Sequence, residues 1–212
     1  MKVFSDSTRL GGLFLLLGAA SMPFIIVEYV MVTSAAPPTG NRTENLAYFE
    51  ANLPTLVRGW HFEVIAMALV GAGALSRLVG TARAGWALTA IGVASVLAMY
   101  PLMIGGYAAA FEADSLAGDK IVNAVATELF YAGNFLASAG LGLALFLEAK
   151  ASERAAPGWV LWIGVIANSL AALGFLALHA GFPVSLQMVG PFGLVGFVST
   201  AAFGAFVALK KT

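Results

Sequence analysis

Apolar residues along this chain fall into six long blocks separated by short polar stretches. The blocks cover roughly 10–33, 57–79, 85–110, 121–147, 157–180 and 184–209. A hydrocarbon core of about 30 Å takes about 20 helical residues to cross, and every block is at least that long. None shows the period-2 alternation of a barrel strand, and all are far longer than one. The pattern predicts an all-α fold: a single transmembrane domain over 1–212, built as a bundle of six transmembrane helices. Ser34-Ala35-Ala36 resembles a signal cleavage site, but the block before it exceeds a signal core of about 7–15 residues. It is read as a retained helix.

Composition removes whole classes of function. The chain is 60% apolar and 10% charged, whereas a soluble domain carries about 25% charged residues. It lacks the polar surface to face water all round, so the expected partner is the lipid bilayer. Net charge is zero, which gives no reason to expect a nucleic-acid partner. Cysteine is absent, which excludes disulfides, thiolate metal sites and a cysteine nucleophile.

Basic residues orient the bundle. One set of connections carries Lys2, Arg9, Arg77, Arg83, Lys150, Arg154, Lys210 and Lys211; the other carries Arg42, Arg58 and Lys120. Lys and Arg concentrate on the cytoplasmic side. Both termini are therefore expected in the cytoplasm of a bacterial inner membrane, with 34–56, 111–120 and 181–183 external. In the first external loop, Pro37-Pro38-Thr39-Gly40 breaks the chain. Thr43 can then cap a short amphipathic helix with Leu46, Phe49 and Leu53 on one face. That helix lies on the interface or acts as a lid, and Pro54 ends it or opens the second span. Small residues at four-residue spacing mark helix seams: Ala68, Ala72 and Ser76; Gly164, Asn168 and Ala172; Gly196, Thr200 and Gly204.

Ionisable groups are costly in lipid, so those inside the blocks are candidates for function. With this topology they gather in the outer half. Glu28, His61, Glu128, Tyr131, Asn134, Asn168 and His179 are the expected ligand-binding set, with Glu63, Tyr100 and Tyr107 secondary. His61 and Glu63 are two residues apart, about 200° round a helix, so only one can face the interior. His61 is expected to be that one. Most candidates have a plainer role: interfacial or belt residue for His61, His179, Tyr100 and Tyr107, water contact for Glu63, a protonated carboxyl paired to a neighbouring hydroxyl or carbonyl for Glu28 and Glu128, interhelical hydrogen bonding for Asn134 and Asn168. Missing are a phosphate loop, an HExxH helix and a serine nucleophile elbow.

Leu129-Phe130-Tyr131-Ala132-Gly133-Asn134, the Pro157-Gly158-Trp159 entry and a glycine-rich last helix ending in Lys210-Lys211 resemble the DUF4386-type bacterial six-helix membrane proteins. The resemblance implies a fold and almost no chemistry. The expected function is binding, with or without transport, of a small molecule or ion at the outer polar site, with catalysis the less favoured alternative. Three readings compete with it. Two are a redox subunit whose haem is held by His61 and His179, and a divalent-metal enzyme using His61, His179, Glu28 and Glu128. The third is an accessory subunit of a homo-oligomer or larger membrane complex.

Overall fold

The computed structural model describes residues 2–35, 42–113 and 115–210. Short connections join seven α-helices: α1 Lys2–Ser34, α2 Arg42–Leu75, α3 Arg83–Pro101, α4 Tyr107–Glu112, α5 Leu116–Lys150, α6 Gly158–His179 and α7 Leu186–Leu209. A π-helical turn over Leu102–Gly106 joins α3 to α4, so the two form one span. Six helices are long and apolar enough to cross a membrane. At about 1.5 Å per residue, helices such as α1, with 33 residues, and α5, with 35, outrun the hydrocarbon core and project beyond it.

Two boundaries differ from the sequence expectation. The short helix expected in the first loop is the beginning of α2, which runs unbroken through Pro54. A proline inside a membrane helix is tolerated because neighbouring groups satisfy the freed carbonyl. Thr43 lies in the first turn of α2 rather than at its cap, and the Pro37-to-Gly40 break lies outside the described residues. The second departure is the π turn. Pro101 supplies no N–H to the helix ladder, and the following turn widens to five residues before α-geometry resumes at Tyr107.

The six spans close into a ring in the order α1, α2, α3–α4, α5, α6, α7 and back to α1, each packing chiefly on its two neighbours. First and last helix meet directly: Arg9 Nε donates to the Ala208 carbonyl at 3.2 Å. We call the end bearing the chain termini the terminal end and the other the distal end.

Small residues make the seams, because close van der Waals contact drives association in lipid. The tightest seam joins α3 to α5. Gly85 lies on Ala144, Gly92 on Ala137, Gly133 on Val96 and Gly140 on Thr89, leaving no room for a Cβ at any of the four glycines. Gly12 of α1 and Gly204 of α7 face each other's backbones in the same way. Asn168 sits in the α6–α7 seam against Gly196, as its row predicts. The row on α2 does not hold throughout: Ala68 is exposed, and α2 meets α1 through Ala66, Val70 and Gly73 instead. Trp86, Phe203, Leu15, Met67, Leu145 and Leu161 fill the interior and are essentially inaccessible.

Candidate functional site

In the distal half of the ring, a carboxyl turned toward the interior has no ion-pair partner among the described residues. This is Glu63, which projects from α2 and is half-buried. Its neighbours are phenols. Tyr100 of the neighbouring α3 stands within hydrogen-bonding reach of it, and Tyr29 of α1 lies within electrostatic reach. Tyr29 in turn lies near Tyr131 of α5 and Tyr107 of α4. Four of the chain's five tyrosines thus converge from three spans, α1, α3–α4 and α5, on the neighbourhood of Glu63. Tyr100 is 1% exposed, and its hydroxyl closes no hydrogen bond of acceptable geometry.

A cleft opens beside Glu63 between α1 and α2. Ile25, Glu28, Tyr29 and Val32 line one wall; Thr55, Leu56, Gly59, Trp60 and Glu63 line the other. Its free volume is about 10 Å³, room for roughly one water molecule. Trp60 forms its floor and stacks on Tyr107 at 5.9 Å between ring centroids. Tyr107 then donates from its hydroxyl to Asn123 Oδ1 at 3.1 Å. On the outer wall of the ring, Glu28 also borders a shallow groove of about 340 Å³ lined by Phe24, Phe62, Ile65 and Leu69.

The expected site residues do not form one cluster. Glu28 accepts a hydrogen bond from Arg58 at 2.7 Å, an exposed ion pair at the cleft mouth. Glu128 and His179 pair at 3.0 Å across α5 and α6 and are also exposed. Asn134 and Asn168 each donate to a carbonyl one turn back in their own helix, Phe130 and Gly164. Tyr131 packs edge-on against Phe130 and is half-buried. His61 corrects the sequence reading: it is exposed on the outside of the ring, and its ring nitrogen donates to the Val57 carbonyl at 2.7 Å. It does share a face with Ala68, but that face is the outer one. Glu63 is the residue that turns inward.

The two histidines therefore do not form a haem pair. They stand on α2 and α6, which are not neighbours in the ring. Nor do His61, His179, Glu28 and Glu128 converge as metal ligands; among the described residues no three His, Asp or Glu side chains do.

Sequence reasoning passed over two features. One is Tyr29, next to Glu28; it lines the same cleft from α1 while remaining exposed. The larger omission lies at the terminal end, where no buried ionisable group was expected. Arg77 from the end of α2 reaches across to Glu148 near the end of α5, and both side chains are about nine-tenths buried. The Arg77 guanidinium lies 5.4 Å from the Trp86 ring centroid and 4.9 Å from that of Phe203. Trp86 and Phe203 stack at 5.5 Å. The four side chains plug the ring interior. Arg77 and Glu148 read as loop charges because each stands within a few residues of a block end, and nothing local links positions 71 residues apart. Comparison of the chain with protein-family models, curated proteins and solved structures finds no match to any of the three.

Proposed function

We propose that this membrane protein binds a small molecule or ion in the outer half of the ring, at a site centred on Glu63. One observation carries the reading: a carboxyl faces the interior of an apolar bundle with phenol hydroxyls for neighbours and no basic partner among the described residues. A charge in that position costs several kcal/mol by the usual estimates of about 2.5–3.5, and a retained cost of that size points to use. The distal end is taken as the external one, because basic residues concentrate at the other. Glu28 and Arg58 then stand at the mouth and Glu63 behind them.

Binding is favoured over conduction in this conformation. A ligand crossing the ring would have to pass the Arg77–Glu148 pair and the Trp86–Phe203 stack. Transport would require that plug to part.

The chain has no cysteine, so single cysteines can report access without background. Proteoliposomes carrying Arg58→Cys, Thr55→Cys or Glu63→Cys would be treated with a membrane-impermeant maleimide. The expected result is labelling of all three from one side, with Glu63→Cys slowest. Labelling of Arg58→Cys alone would show that water does not reach Glu63, and the binding reading would fall.

A further inference from the structure

The groove on the outer wall of the ring is closed at both ends. Toward the terminal end α1 and α2 touch, where Gly18 lies against the backbone of Ala66 and Val70 with no room for a Cβ. From there toward the distal end the two helices leave about 340 Å³ between them. Phe24, Phe62 and Ile65 stand along the groove, each more than half exposed, while Ala66 beneath them is buried. Glu28 lines the distal end, and Arg58 Nη2 donates to its Oε1 at 2.7 Å.

Charge sets the depth of this groove in a bilayer. The stretch of α1 from Arg9 to Glu28 and the stretch of α2 from Arg58 to Arg77 each rise about 28 Å along the helix. That matches a hydrocarbon core of about 30 Å, so each helix carries one charge at either boundary. Glu28 and Arg58 therefore stand at the headgroup level of one leaflet. The rest of the groove, from Ile25 to Ser21 in α1 and from Phe62 to Leu69 in α2, lies below them at the depth of the acyl chains.

An occupant of this groove must be apolar along its length and polar at one end, which is the build of a membrane lipid. The ion pair selects the headgroup. It is exposed, and it uses one guanidinium nitrogen and one carboxylate oxygen. The other guanidinium N–H groups suit a phosphodiester, and the second Glu28 oxygen accepts from a primary ammonium. An anionic headgroup without an amine would satisfy Arg58 and set its charge against Glu28. A trimethylated ammonium has no N–H to donate. An ethanolamine headgroup carries a phosphate and a primary ammonium two methylenes apart, and it meets both residues.

We propose that the α1–α2 groove holds one phospholipid with an ethanolamine headgroup. Its phosphate lies on Arg58, its ammonium on Glu28 and one acyl chain between Phe24 and Phe62. The assignment does not rest on the reading of Glu63 as a ligand site.

The test uses the full chain in detergent, stripped of lipid, and native mass spectrometry. Dilauroyl phosphatidylethanolamine, phosphatidylcholine and phosphatidylglycerol are titrated in turn. One ethanolamine lipid should bind about three- to tenfold more tightly than either of the others, the worth of one hydrogen bond to a charged group. Glu28→Gln should remove most of that preference and leave lipid binding in place. Arg58→Ala should weaken binding of all three lipids. Ser21→Trp, which fills the groove away from the ion pair, should abolish the site for every headgroup. None of these three side chains is buried, so the variants keep the fold. Equal binding of the three lipids by the wild type would mean ordinary bilayer contact only and would overturn the proposal. So would an ethanolamine preference that survives Glu28→Gln. A lipid-free dimer that Ser21→Trp abolishes would make a second copy of the chain the occupant and overturn it as well.

Discussion

The two ends of the ring handle buried charge in opposite ways. At the terminal end Arg77 meets Glu148, and the stacked Trp86 and Phe203 cover the guanidinium. The charge there is compensated inside the fold. At the distal end Glu63 is surrounded by phenols and has no cation beside it among the described residues. Pairing accounts for the charges of the first arrangement, since removing water from two opposite charges is offset only when they pair well, although Arg77 Nε and Trp86 Nε1 there are buried without a hydrogen-bond partner. The second has no ionic partner among the described residues, and its carboxyl stands against the Tyr100 phenol instead. The contrast is between a charge pair that holds helices together and a carboxyl with only neutral neighbours.

Breaking the terminal pair should have the largest effect. Glu148→Ala strands the Arg77 guanidinium and should cost about 3 kcal/mol or more, read as a lowered unfolding midpoint in detergent. The double replacement Arg77→Met with Glu148→Leu should recover most of that loss. Equal cost for the single and double changes would show that the pair is not closed. Next in size is the α3–α5 seam, which holds both ends in register. Gly92→Leu drives a side chain into the Ala137 backbone and should cost about 2–3 kcal/mol by overpacking. The control Gly193→Ala meets open space and should be neutral or stabilising by up to about 1 kcal/mol. Third, Glu63→Gln should raise stability by up to about 1 kcal/mol, because it replaces an inward-facing carboxyl by an amide that cannot ionise. Glu148→Gln should lower it, and the same sign for both would dissolve the contrast. Smallest are the exposed groups. Glu128→Gln and His61→Ala should shift stability by less than about 0.5 kcal/mol, since exposed pairs contribute little.

Much of this was legible in the sequence, and the illegible part has a physical reason. Span number and position follow from bilayer thickness, a constraint that acts on each block separately. Depth follows too: their positions within the blocks put Glu63, Tyr100, Tyr107 and Tyr131 toward one end of the bundle. Rotation was harder. In lipid the outward face of a helix is as apolar as the inward one, so periodicity loses its usual sign. That is why His61 was preferred to Glu63: the 200° between them was certain, and the direction of the core was not. The π turn adds a further blind spot. One extra residue per turn rotates everything beyond it by about 100°, so a projection from Tyr100 misplaces Tyr107. The Arg77–Glu148 pair escaped because both residues sit near helix ends, where charge is ordinary.

Closure of the ring by α1 and α7 has a consequence for how the protein is made. The hydrogen bond from Arg9 to Ala208 spans 199 positions, and the Gly12 face of α1 has no other helix to pack on. During synthesis that face must wait in lipid until the last span arrives, while α1–α2 and α3–α5 can already zip together. Insertion of α7 is therefore the step that turns a curved sheet of helices into a sealed barrel-like wall. The same closeness of the two chain ends allows the order of the helices to be cut and rejoined elsewhere without changing which helix touches which.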